Sequence, residues 1–313
     1  MPGTVLTIGE ILVEIMAVTP GDGFREPIEL VGPYPSGAPA IFIDQIGKLG
    51  MPAAMVGCVG DDDFGRLNLE RLRADGVDVS AVEVLADAVT GSAFVRYRPD
   101  GQRDFVFNIR HSASGRIALT AAAQAAIAGA RHLHVVGSSL ISPAIVDTVM
   151  VSVRAIKGRG GTVSFDPNIR KEMLGDGALR EALSRVLAQT DLFLPSGPEV
   201  LLFSDQAEEL AAARDILSRG VSAIALKQGA EGARYLDAAT DIFAPAFAVT
   251  EIDPTGAGDA FGATFVAGWL AVLPPADNLR RANAAGALAV GRRGPMEGNS
   301  TQAEIDSFLA ARD

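Results

Sequence analysis

A single cysteine, Cys58, among 313 residues rules out an internal disulfide. A chain this long can bury a core without such a staple, and a reducing cytoplasm is the expected setting. Histidine is also scarce, with three in all. His132 and His134 share one face of an expected strand, but no third ligand has a fitting spacing, so both read as packing residues. Basic residues are in deficit: 27 Lys and Arg against 38 Asp and Glu leave a net charge of −11. Gripping nucleic-acid phosphates needs a basic face, so no nucleic-acid partner is expected. Long apolar runs are missing too. The longest, Ala260 to Leu273, contains Thr264 and stops at Pro274, short of the ~18–20 residues that cross a bilayer. Glu10 and Glu14 stand where an export signal would need positive charge. No repeat period and no low-complexity tract is present.

What remains is ordinary for a globular enzyme, with 48% hydrophobic and 21% charged residues. Strand-like runs at Val5–Ile8, Ala53–Val59, Thr162–Phe165, Leu192–Leu194 and Ala223–Leu226 alternate with helical spacing over 38–49, Asp63–Ala74, 178–189 and 206–219. That alternation predicts an α/β fold, a mostly parallel sheet with helices on both faces. Two segments break the rhythm. Residues 10–36 are rich in Gly, Pro and acids. Residues 89–110 read as a hairpin around Pro99-Asp100-Gly101, with Phe94, Tyr97, Phe105 and Phe107 on its strands. An antiparallel insert on a parallel core suggests a small lid beside a site.

Chemistry concentrates in DPTGAGDAF, residues 253–261. Small residues at Gly256, Ala257 and Gly258, followed by an apolar helical stretch, let backbone N–H groups point outward together. With the helix dipole they make an anion site. Asp259 falls at the helix start, where the dipole favours an acid by roughly 0.3–1 kcal/mol. No Gly-Lys-Ser/Thr follows, so this is not a Walker P-loop. Nor does a Gly-x-Gly-x-x-Gly follow the first strand, so an NAD-dependent oxidoreductase is a poor reading.

The nine-residue run resembles the C-terminal signature of the ribokinase-like (PfkB) family of sugar kinases. SGAPAIFIDQIGKLG (36–50), VGCVGDDDFG (56–65), FDPNIR (165–170), PSGPE (195–199) and KQGAEG (227–232) resemble other segments of that family, in order. FNIRHSAS (107–114) is similar to the branch holding fructokinases and 2-keto-3-deoxygluconate kinases. The resemblance implies a single ribokinase-like domain over 1–313, with a β lid from about 10–36 and 89–110. It implies transfer of a phosphoryl group from ATP, with Mg²⁺, to a sugar hydroxyl. Asp259 would be the general base and the amides of Gly256, Ala257 and Gly258 the anion hole.

The same resemblance assigns sugar contacts to Glu14, Gly37, Arg110, Asn168 and Arg170. It assigns the nucleotide to Lys227, Gly229, Gly232 and Asn283, and a magnesium-bound water to Glu199. A monovalent cation such as K⁺ would sit near Asp253. The chain departs from the family's pattern at Ile41 and Ser196, where an Asn is usual. The Tyr residues that often precede Arg110 in keto-deoxygluconate kinases are Asn108 and Ile109 here, which favours a neutral ketose such as fructose or tagatose. Ribose or a nucleoside is a further alternative, and a sugar or nucleotide sensor that keeps only the fold is the alternative of another class. A homodimer through the lid strands is also expected. Among the lesser features, Asp61–Asp63 read as a turn and helix cap, Phe265 and Trp269 as core, and Cys58 as an inert small hydrophobe.

Overall fold

A computed structural model of the chain describes residues 3–100, 103–169 and 177–312. The chain opens with β1 (Thr4–Ile8), then an antiparallel pair, β2 (Leu12–Ala17) and β3 (Leu30–Ser36), before α1 (Ala38–Lys48). Next come β4 (Ala53–Gly60), α2 (Asp63–Ala74), β5 (Val77–Leu85) and a second hairpin, β6 (Gly91–Tyr97) with β7 (Arg103–Asn108). The elements α3 (Ala121–Gly129), β8 (Ala130–Val136), α4 (Pro143–Lys157), β9 (Thr162–Asp166), α5 (Gly177–Leu187), β10 (Leu192–Phe193), α6 (Glu209–Ser218) and β11 (Ala223–Lys227) then alternate. The strands β12 (Gly232–Asp237) and β13 (Asp241–Pro245) precede α7 (Ala257–Leu270), α8 (Pro275–Val290) and α9 (Gln302–Ala310).

These strands make two sheets. The larger has nine strands in the order β13-β12-β11-β10-β9-β8-β1-β4-β5. From β11 to β5 every neighbouring pair is parallel, and β12 and β13 add an antiparallel edge. Its inner strands are covered on both faces, which is why β4 is buried at every residue. One face packs on residues of α3, α4, α5 and α6 such as Ile127, Val149, Leu183 and Ile216. The other packs on α1, α2, α7 and α8 through Phe42, Leu72, Phe265 and Leu279. This is the expected α/β architecture.

The two histidines of β8 are core, as the sequence suggests. Both rings are buried. His132 Nδ1 meets Thr162 Oγ1 at 2.8 Å, and its Nε2 meets Ser164 Oγ at 2.7 Å. His134 Nδ1 shares that hydroxyl at 2.8 Å and stacks on Phe42. Burial holds both imidazoles neutral, with His132 pushed down to about 3. Left unbonded, each such group would cost about 1–3 kcal/mol.

The small sheet, β3-β2-β6-β7, differs from expectation in one respect. It is two antiparallel pairs joined through a parallel β2–β6 contact, so it is mixed rather than antiparallel. The reason is connectivity: α1, β4, α2 and β5 separate the two pairs in sequence, and a parallel join needs such a long crossover. Gly101, in the predicted turn, lies outside the described residues. The helix read from 206 begins at Glu209 instead. Ser204 Oγ takes the Gln206 amide at 3.3 Å and donates to Asp215 at 2.7 Å, which holds that segment outside the helix.

Helix α1 does more than pack. Gln45 Nε2 donates to Ser300 O at 2.8 Å, and Ser300 N returns the bond at 2.7 Å. Asn299 Nδ2 donates to fully buried Asp44 at 2.7 Å and to Ile41 O at 3.0 Å. Arg71 of α2 lies 3.4 Å from Asp44 and donates to Met296 O at 2.7 Å. Residues 294–300 are thereby clamped beneath the loop that leads into α7. Burial, opposed by Arg71, pushes the Asp44 carboxyl up from 3.8 to about 7. Across that window the folded protein holds a proton that the unfolded chain has released, so this group's contribution to stability falls as pH rises. Asp44→Asn cannot titrate there. Its melting temperature is expected to drop less than the wild type's between about pH 5 and about pH 8. Parallel melting curves across that range would refute the assignment.

Candidate active site

The carboxyl edge of a parallel sheet gathers the residues that follow each strand, and ligands bind there in open α/β folds. Glu10 follows β1 and takes hydrogen bonds from Ser138 at 2.8 Å and Ser139 at 2.5 Å, both just past β8. Asp166 ends β9, and Asn168 follows it with φ 42. Asn tolerates that left-handed backbone, and the Asn168 amide donates to Asp166 Oδ1 at 3.2 Å. Lys227 ends β11 and makes a buried ion pair with Asp166. Arg170 lies outside the described residues.

Glu199 stands in a short 3-10 turn, Gly197–Phe203, after β10. Its Oε1 accepts from Ile169 N and its Oε2 from Ser196 N, both at 2.7 Å. Ser196 thus offers its backbone amide to the acid. Burial, with Asp166 adding to it, raises the Glu199 carboxyl, against Lys227 and the two amides. Burial pulls the Lys227 ammonium down, but Asp166, Glu199 and Asp259 together hold it above its usual value. Position 258 lies beside it: a Cβ added to Gly258 would sit 3.8 Å from Lys227 Nζ. The lysine therefore links the strand edge to the start of α7.

That start is set by Gly256, which caps α7 with φ 83. A side chain there would be both strained and obstructed, because its Cβ would stand 2.1 Å from Pro295 O. Helix α7 begins at Ala257, and Asp259 lies half-buried in its first turn. The first amides of a helix have no partner inside it. Ala257 N reaches Pro254 O only at 3.4 Å, and Ala260 N closes the turn on Gly256 O at 2.8 Å. Ile41, where the family's pattern has Asn, is buried, and its Cγ2 would lie 3.4 Å from that same Cβ. Asp253 anchors the run from behind. Its Oδ1 accepts from Tyr97 Oη at 2.6 Å and Thr255 N at 3.0 Å, and its Oδ2 accepts from Gly294 N at 2.9 Å.

The remaining predicted residues fall in several places. Gly37 caps α1 with φ 109, and its Cβ would lie 2.5 Å from Glu10 O, so only glycine permits that approach. Glu14 is buried on β2 within the small sheet. Gly229 lies in the turn between β11 and β12, and Gly232 is the first residue of β12. Asn283, on α8, donates its amide to Ala244 O and Pro245 O, each at 3.1 Å, which fastens the helix to β13. Arg110 is exposed and lines a cavity of about 450 Å³ with Ile141, Ser142, Asp147 and Arg185. The Tyr97 hydroxyl, and Arg103 at 3.4 Å from Thr255 Oγ1, are contacts that sequence reading misses. Their only signal is membership of the hairpin; nothing in the spacing says which loop it overlies.

Among the described residues no cluster of three or more His, Cys, Asp or Glu could hold a metal directly. Cys58 is buried and its thiol is pushed up to about 12, so it is inert. No helix among the described residues is long and apolar enough to cross a membrane.

Known proteins match this fold and order of segments. A 2-dehydro-3-deoxygluconokinase of Thermoproteus tenax is 34% identical, over 98% of this chain and 94% of its own length. A fructokinase of Klebsiella pneumoniae is 32% identical, over 95% and 96%. The crystal structure of an Escherichia coli protein provisionally called ribokinase II, in complex with ATP and Mg²⁺, superposes with a TM-score of 0.94 at 47% identity over 99% of both chains. The model of the pfkB family of carbohydrate kinases matches residues 4–302. On that match and those relatives, the chain belongs to the pfkB carbohydrate kinases and is a phosphotransferase.

Proposed function

We propose that the chain transfers the γ-phosphoryl group of ATP to a hydroxyl of a small ketohexose of the fructose or tagatose type. The observation that carries this reading is the start of α7: an αL glycine, two further small residues and then an acid in the first helical turn. In it, Asp259 takes the proton of the attacking hydroxyl, a role worth about 10²–10⁴ in rate. That corresponds to ~3–5 kcal/mol of barrier. The amides of Gly256, Ala257 and Gly258 meet the charge that builds on the transferred group, where fixed donors act most strongly. Lys227, with Asp166 and Glu199, supplies a neighbouring charge set, and positioning with electrostatics suffices for this chemistry.

In this reading a magnesium ion arrives on the nucleotide's phosphates. Glu199 would then hold one of its waters, with both carboxylate oxygens already oriented by amides. A Vibrio cholerae fructokinase, 25% identical, is known with fructose, ADP and potassium. A potassium ion near Asp253 belongs to the same reading. Glu14, Gly37, Asn168 and Arg170 are assigned to the sugar, and Gly229, Gly232 and Asn283 to the nucleotide. Leu30, Val106 and Phe107, exposed on the edge strands of the small sheet, support a homodimer through that sheet.

A second reading, phosphorylation of 2-keto-3-deoxygluconate, is supported by the 34% identical 2-dehydro-3-deoxygluconokinase of Thermoproteus tenax.

ADP release over fructose, tagatose, 2-keto-3-deoxygluconate, ribose and adenosine should give the highest kcat/KM with a neutral ketohexose. A preference for the sugar acid would select the second reading, and silence with every sugar would remove both. Asp259→Asn is expected to lower kcat by roughly 10²–10⁴, while calorimetry shows ATP binding and melting close to wild type. Near-normal turnover in that variant would show that another group is the base.

A further inference from the structure

The proposed transfer gives Tyr97 no part, yet its hydroxyl makes the shortest of the three hydrogen bonds to Asp253. Tyr97 is the last residue of β6 in the small sheet. Asp253, only 1% exposed, begins the run that ends in the amides of 256–258. Its oxygens collect donors from three separate segments: the phenol of the small sheet, the Thr255 amide of its own turn, and the Gly294 amide of the clamped loop. Two of these donors are backbone groups fixed in place. The third is a side chain carried by a different sheet.

The turn has little slack. Thr255 N bonds the same oxygen, Oδ1, that receives the phenol. Gly256 follows directly, so close to Pro295 O that a Cβ would stand 2.1 Å away. A displacement of the Asp253 carboxylate therefore passes through Thr255 to the amides after it. The Tyr97 hydroxyl also lies 3.3 Å from Thr255 Oγ1, a second contact on the same turn.

We infer that Tyr97 is a positioning residue: its hydroxyl joins the small sheet to the turn that presents the amides of 256–258. It keeps those amides at the spacing that transfer requires, and touches neither phosphate nor sugar. A misplacement of about 1 Å in such a constellation costs up to roughly 10²-fold in rate. The role rests on the kinase reading of 253–259, so the test has one arm that needs no activity.

Tyr97→Phe removes the hydroxyl and keeps the ring. Hydrogen exchange of the full-length protein, read by mass spectrometry, should then show faster exchange in a peptide covering 253–261, with the other peptides unchanged. Kinetics with ATP and the best sugar should show kcat lowered roughly 10- to 100-fold, with KM for ATP within about twofold. Tyr235→Phe is the control. It removes a hydroxyl bonded to Asp237 at 2.7 Å on β12, and should leave both readings at wild type. Unchanged exchange over 253–261 overturns the coupling. Faster exchange with unchanged kcat, or a rise in KM for ATP that accounts for the loss, overturns the positioning role. If the wild type is silent with every sugar, the kinase reading falls, and the exchange arm still decides whether Tyr97 holds the turn.

Discussion

A missing side chain governs this site. Gly256 has a left-handed φ of 83, and the space its Cβ would need is taken by Pro295 O. Any other residue would push the 253–256 turn away from the 294–300 loop, and α7 could no longer begin where it does. A helix start at Ala257 leaves amides facing outward and places Asp259 in the dipole's favourable field. The charge that α7 can accommodate at its N-terminus thus follows from a steric constraint one residue earlier.

Around that point the protein is braced from several directions. Asp253 holds the turn through three donors. The loop that supplies Gly294 N is itself held by Gln45, Asp44 and Arg71 through Ser300, Asn299 and Met296. Burying Asp44 is costly, as its raised carboxyl shows, and Asn299 and Arg71 offset part of that cost. A carboxylate buried behind a site is weak evidence for stability in itself. Its value here lies in fixing where the loop passes. Beside the site stand Asp166 and Lys227, both buried, with Glu199 partly so, and the fields of the buried pair act over a short, poorly screened distance.

Much of the fold was legible in the sequence. Its strands are apolar runs and its helices have amphipathic spacing, and both are local properties. The turn at Asp61–Asp63 reads as a cap, and Asp62 accepts from Gly65 N at 2.8 Å. His132 and His134 read as core, and they are. The mixed pairing of the small sheet was not legible, because the two pairs are brought together by the packing of everything between them. Asn283 shows a related limit. An Asn within a helix suggests a polar task, and here that task includes two carbonyls of a distant strand.

The sequence by itself determined that 253–261 would form a glycine turn running into a helix with an acid in its first turn. Three small residues before an apolar run permit little else. It also determined an α/β sheet with Asp166 and Asn168 just past the end of one of its strands. Tertiary structure alone decided that Tyr97 meets Asp253, that Pro295 O closes over Gly256, and that Lys227 pairs with Asp166 across β10. Those contacts join residues 39 to 156 positions apart. Their geometry depends on the twist and stacking of both sheets, which no local pattern of residue types encodes.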